Sequence, residues 1–154
     1  MNKNFSFSKK KNWKCNLTKC QKIKVPIEIL DTAGQDDFKA LRANWMRRSS
    51  AFALVYSITS KNSFRAAKTI HGEILKVKQQ SAFTALLLGN KLDQQDKREV
   101  ETNEGEEFAK SVNALFAEVS AKTGDNVSET LNQLVKKLGE DSKNASAEGC
   151  CVLF

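Results

Sequence analysis

The sequence predicts an α/β fold, a mostly parallel sheet with helices on both faces, and three features predict it. Short apolar runs recur along the chain, amphipathic patterns lie between them, and polar strings able to do chemistry follow directly on the runs. The runs are Val25 to Leu30, Ala51 to Ile58 and Thr84 to Leu88, with a weaker one at Leu115 to Val119. The second and third are nearly continuous, as expected of strands buried on both faces. After Ser60, the residues Phe64, Ala67, Ile70, Ile74 and Val77 recur at helical spacing, with Arg65, Lys68, Glu73, Lys76 and Lys78 mostly on the other side. Val127, Leu131, Leu134 and Leu138 repeat the pattern, with Lys136 and Lys137 in its last turn and Gly139 placed to stop it.

The bulk properties bound the function. A chain of 154 residues suits one domain with a sizeable core. No run approaches the roughly 18 apolar residues of a membrane span, and the N-terminal lysines lack the apolar stretch of a secretory signal. A cytosolic protein is the expectation. The net charge of +7 looks like a nucleic-acid signal until it is located. Lys3, Lys9, Lys10, Lys11, Lys14, Lys19, Lys22 and Lys24 all precede the first acidic residue, Glu28. From Val25 onward the chain is close to neutral. The expected organisation is therefore a basic arm, flexible or only loosely strand-like, over 1–24, a domain over 25–138 and a solvated tail over 139–154. The arm lacks the interleaved aromatic residues of a stacking platform, so no nucleic-acid partner is expected.

Three strings carry the chemistry. Asp31-Thr32-Ala33-Gly34-Gln35 ends the first run, where ligands of open α/β sheets sit. A carboxylate there can hold Mg²⁺ through water, a glycine lets backbone N–H approach a phosphate, and a glutamine can orient a water. The plain alternative is a strand-to-helix turn capped by Asp31. Asn90-Lys91-Leu92-Asp93 follows the third run. Its aspartate can accept two hydrogen bonds from guanine N1–H and the N2 amino group, and a lysine stem can lie over the base. The alternative there is a polar loop. Ser120-Ala121-Lys122 follows the fourth run and can add backbone contact to the same base.

Taken in this order, each at a strand end, the three strings resemble those of the Ras family of small GTPases over about Val25 to Leu138. The resemblance implies a Ras-like G-domain that binds GTP or GDP through Asp31, Thr32, Ala33, Gly34, Gln35, Asn90, Lys91, Asp93, Ser120, Ala121 and Lys122. It implies that Asp31 serves Mg²⁺ through water, Gly34 the γ-phosphate and Gln35, the catalytic residue, the hydrolytic water. Asp36 to Met46 would be the mobile switch II segment read by effectors, exchange factors and GTPase-activating proteins. The family pattern also has a first strand and a G-x-x-x-x-G-K-[ST] loop that cradles the phosphates, followed by a first helix. No glycine precedes Gly34 here, and nothing matches the switch I threonine. The expected domain therefore lacks that strand and helix, with nucleotide binding and hydrolysis impaired. The missing strand would lie between the runs Val25 to Leu30 and Ala51 to Ile58, leaving two strand edges that pair with each other, take up the N-terminal arm, or leave the chain unstable.

Cys151-Val152-Leu153-Phe154 fits C-a-a-X, the family's usual ending, and its terminal Phe looks like geranylgeranyl. Cys150 is a candidate for S-acylation as the second anchor that one prenyl chain needs. A lipid-anchored protein on the cytoplasmic face of the plasma membrane or an endomembrane is the resulting expectation. Cys15-x₄-Cys20 has no second ligand pair, so zinc is not favoured. The only histidine, His71, is expected on the solvent side of its helix or partly packed. A non-enzymatic prenylated module that engages Ras partners without cycling is the competing function.

Overall fold

The computed structural model describes residues 8–12, 26–31, 39–79, 82–142 and 150–153, with side chains at 30, 43–79 and 82–140. The elements run β1 (Ser8–Asn12), β2 (Pro26–Asp31), α1 (Lys39–Arg48), β3 (Ala51–Ser57) and α2 (Lys61–Lys78). They continue through β4 (Thr84–Asn90), a 3₁₀ segment (Leu92–Lys97), α3 (Thr102–Ser111), β5 (Leu115–Glu118), α4 (Val127–Ser142) and β6 (Cys150–Leu153). The six strands form one sheet in the order β1-β2-β6-β3-β4-β5. All neighbours are parallel except the antiparallel pair β1–β2. The predicted α/β sheet with helices on both faces is what forms.

Strand alternation sorts the core into two layers. Phe52, Leu54 and Tyr56 of β3 and Leu87 of β4 pack with Met46 of α1, Phe64, Ala67 and Ile74 of α2, and Ala109 of α3. Ala51 and Ala53 of β3 and Leu86 and Leu88 of β4 face the other way, onto Leu134, Val135 and Leu138 of α4. This two-sided burial explains why β3 and β4 read as unbroken apolar runs. Each large side chain so buried stabilises the fold by about 1.5–3 kcal/mol.

Local signals set the helix starts. Ser60 is extended at φ −155° and accepts the Ser63 N–H at 3.3 Å, capping α2. Glu101 caps α3 in a reciprocal box with Glu104. Two glycines make room for one ring: a Cβ on Gly105 would lie 2.7 Å from both the Phe116 ring and Tyr56 Oη, and one on Gly89 would lie 2.9 Å from Tyr56 Oη. That hydroxyl has no hydrogen-bond partner among the described residues, and burial, helped by the nearby Glu118 carboxylate, pushes its pKa up to about 12.

The structure departs from the sequence expectations in four places. Ser8–Asn12, read as part of an arm that is flexible or only loosely strand-like, is a regular strand paired antiparallel with β2, Lys10 opposite Glu28. It is an edge strand, where lysines are tolerated because one side of the ladder stays open. Helix α4 runs through Gly139 to Ser142, since Gly139 has no positive φ and no packing demand stops it. The facing edges of β2 and β3 pair neither with each other nor with the N-terminal segment, which takes the other edge of β2. Cys150–Leu153 lies between them instead, because a strand at mid-sheet needs partners for the N–H and C=O groups of both edges.

The fourth concerns His71, which is buried at 4% exposure on the core side of α2, seven residues after Phe64 and four after Ala67. Its ring meets Phe108 edge-on at 5.8 Å and Phe83 at 6.2 Å, and Nε2 has no hydrogen-bond partner among the described residues. Burial lowers its pKa. The unfolded chain therefore takes up a proton first on acidification, so the stability is fully present above about pH 6.5 and is lost as pH falls below it. Urea unfolding between pH 7.5 and 5 is expected to show this loss in the native chain and to lack it in His71→Leu. An equal slope in both would show that another group is responsible.

Candidate functional site

Parallel pairing brings the ends of β4 and β5 together: Ser57 is in register with Asn90, and Gly89 with Glu118. The loops leaving these ends are therefore neighbours at the carboxyl edge of the sheet, as expected of a ligand site in an open α/β fold. Hydrogen bonds then lock one loop to the other. Asn90 Oδ1 accepts the N–H of Lys91 at 2.7 Å and of Ala121 at 3.0 Å. Leu92 N–H donates to the Val119 carbonyl at 3.1 Å. With its own N–H turned onto Asn90, Lys91 adopts a left-handed conformation at φ 70°, ψ 36°, which reverses the chain into the 3₁₀ segment that carries Asp93.

Asp93 is half-buried and held from the second loop. The fully buried Ser120 hydroxyl donates to Asp93 Oδ1 at 2.6 Å and accepts the Thr123 N–H at 3.2 Å, so both its capacities are used. The Ser120 hydrogen bond holds the Asp93 carboxyl below the usual carboxylate range, against the opposing effect of burial, with smaller help from its own N–H and from Lys122 and Lys91. The Lys122 ammonium lies 4.0 Å from Oδ2 and is largely exposed, so it adds little. What results is an ionised carboxylate with one oxygen anchored and the other carrying lone pairs for an outside donor.

The turn that carries Ser120 is itself braced. Gly124, at φ +87°, donates its N–H to the Ser120 carbonyl at 2.8 Å, and Asn126 Nδ2 donates to the Glu118 carbonyl at 2.9 Å. Behind it, Arg98 holds Glu118 with a two-pronged ion pair at 2.6 and 2.8 Å, nearly removed from water. Such a planar fork fixes geometry as well as charge. It ties the segment after β4 to β5 a second time.

Of the sequence-predicted residues, the structure brings together Asn90, Lys91, Asp93, Ser120, Ala121 and Lys122. Asp31 is the last residue of β2, in register with Leu153 of β6, and its side chain lies outside the described residues. Thr32, Ala33, Gly34 and Gln35 also lie outside them, as do Cys15 and Cys20, while Cys150 and Cys151 are described as backbone in β6. Among the described residues, no group of three His, Cys, Asp or Glu side chains is placed to hold a metal ion. None of their helices is long and apolar enough to cross a membrane. Sequence reasoning missed that the Ser120 hydroxyl serves Asp93, and that Asn90 Oδ1 serves the loops. It also missed the Arg98–Glu118 pair, whose partners are twenty residues apart and give no local signal.

Comparison with known proteins agrees with this geometry. A model of the Ras family matches residues 3–140. Ras-like protein rasS of Dictyostelium discoideum is 46% identical over 112 residues, covering 73% of this chain and 58% of that protein. The fold is that of an open α/β domain with helices on both faces of its sheet, and the chain belongs to the Ras family of small GTPases. It spans 58% of the length of that relative.

Ser120→Ala removes the largest influence on Asp93. Its carboxyl titration, followed by carbon NMR, is expected to move up toward the ordinary aspartate value of about 3.9. No movement would mean that Ser120 does not hold the carboxylate.

Proposed function

We propose that this chain carries the guanine-reading half of a Ras-type switch, and that by itself it binds guanine nucleotide weakly and does not hydrolyse GTP. The observation that carries the reading is the preorganised Asp93, anchored by Ser120 and held ionised. The described residues fit a guanine base. The Asp93 carboxylate is a double acceptor for N1–H and the N2 amino group, which adenine cannot supply, and the Lys91 stem can cover the ring.

The phosphate side is different. The sequence holds no G-x-x-x-x-G-K-[ST] loop, and no described cluster suits Mg²⁺. Two charge-assisted hydrogen bonds, at roughly 1.5–3 kcal/mol each, stand against an association cost of roughly 4–15 kcal/mol. Affinity near or above millimolar follows. The roles proposed for Asp31 at Mg²⁺, Gly34 at the γ-phosphate and Gln35 at the hydrolytic water, with Thr32 and Ala33 beside them, depend on phosphates being held there.

The second reading, a partner-binding module that does not cycle, is favoured by α1. This helix, Lys39–Arg48, overlaps the segment Asp36 to Met46 that the resemblance gives to partner recognition; it buries Met46 and leaves Asn44 exposed, with Arg47 and Arg48 exposed just beyond the segment. In both readings we propose membrane attachment on the cytoplasmic face, through a prenyl thioether at Cys151 and an acyl group at Cys150.

Thermal unfolding tests the proposal. At about 1 mM GDP with Mg²⁺ the midpoint is expected to rise by under about 2 °C. A rise of several degrees at micromolar GDP, abolished by Asp93→Asn, would show that a phosphate site exists and that the chain is a working switch.

A further inference from the structure

Helix α2 packs Phe64, Ala67, His71 and Ile74 inward and turns its opposite side to solvent. That outer face carries Lys61, Arg65, Lys68, Gly72 and Lys76 at three-to-four spacing over roughly 22 Å of helix, with Leu75 beside the glycine. All four cations are exposed. Among the described residues none of them forms an ion pair, whereas Arg98, Lys110 and Lys122 each do. The helix does not ask for this row. Lys61 opens α2, where the dipole disfavours a cation, and the first turn holds no acidic residue; of the four, Lys76 alone stands in the last turn, where the dipole favours it. Two of the cations are also held in place. The Lys68 ammonium lies 4.2 Å from the centre of the Phe64 ring and 5.2 Å from that of Phe108, and Arg65 Nη1 donates to Asn62 Oδ1 at 3.2 Å. Both keep N–H groups for an outside acceptor.

Gly72 is equally unexplained by the fold. Glycine inside a helix is destabilising relative to alanine, yet a Cβ on Gly72 would meet nothing within 4 Å, and its φ is not positive. Neither packing nor backbone conformation requires it. Three residues on, Leu75 is 47% exposed, and no other large hydrophobic side chain is so exposed among the described residues.

We propose that the outer face of α2 docks an acidic amphipathic helix of a protein partner, with carboxylates on Lys61, Arg65 and Lys68, the two backbones crossing at Gly72, and an apolar side chain on Leu75. A glycine at the crossing lets the partner come close, because no side chain stands between the helices. A cationic row, a notch and one apolar side chain in line suit a rigid ligand that repeats the pattern in complementary form. A bilayer takes up a basic face through several apolar or aromatic side chains inserted beside the cations, and this face offers Leu75 alone. The face lies outside the segment Asp36 to Met46 that the resemblance gives to partners, and docking there needs no bound nucleotide.

The test uses the full chain and a fluorescent helical peptide of about 20 residues, with Glu at three-to-four spacing on one face and Leu at the end of that row. A scrambled peptide of the same composition is the control. In anisotropy titrations the patterned peptide is expected to bind at least about tenfold tighter than the scrambled one, and to weaken at least about threefold between about 50 and 300 mM salt. Lys61→Glu with Arg65→Glu is expected to weaken it at least about tenfold, since like charges then face each other. Gly72→Leu is expected to do the same by filling the notch, with no fall in melting midpoint, and Gly72→Ala to raise that midpoint. Equal binding of the two peptides, binding that survives the charge reversals, or no binding overturns the proposal. So does a lower midpoint in Gly72→Ala, which would show that the fold itself needs the glycine. Phosphatidylcholine vesicles with about 30% phosphatidylserine are the rival ligand. Tighter binding to them, lost in the same charge reversals, would assign the face to a membrane and overturn the proposal as well.

Discussion

A strand inside a parallel sheet must satisfy backbone groups on both edges, and in this chain that demand is concentrated at one place, the gap between β2 and β3. The chain answers it with four residues from its far end. Everything on the β5 side of the gap is ordinary α/β construction: continuous apolar strands, two core layers, helices on both faces. Everything on the other side, a lysine-bearing edge strand and its partner, is attached through β6. The organisation of the whole sheet therefore depends on an interaction between segments more than a hundred residues apart.

The consequence for function is an uneven site. The loops after β4 and β5 are independent of the gap, since Asn90, Ser120, Arg98 and Glu118 tie them to each other and to the stable half of the sheet. The Asp93 carboxylate can be preorganised there whatever happens at β6. Phosphate chemistry in this family needs a glycine-rich loop followed by a lysine and a hydroxyl, and no such string occurs in this sequence. In the proposed reading the guanine half of the site and the phosphate half are separable in this chain.

Much of this was legible in the residues. β3 and β4 announced themselves because burial on both faces leaves no polar alternation, and α2 because its apolar stripe keeps helical spacing for five positions. The placement of the strings at 90–93 and 120–122 beside strand ends was legible because each follows directly on an apolar run. What escaped was set by distant demands. Ser8–Asn12 has the composition of a solvated arm and becomes a strand because β2 offers it an edge. Cys150–Leu153 follows a polar stretch and is ordered only by the two edges it meets. His71 occupies a core position of its stripe, but a histidine is read as polar when its neighbours, Phe83 and Phe108, are unknown.

The separability of the two half-sites is most directly tested by comparing guanosine with GDP plus Mg²⁺ in NMR titrations of the same protein, following the amides of Lys91, Asp93 and Ala121. The account predicts that the two ligands perturb these amides alike and bind with affinities within about threefold, both near or above millimolar. GDP binding orders of magnitude tighter than guanosine would contradict it, and would place a working phosphate site in this chain.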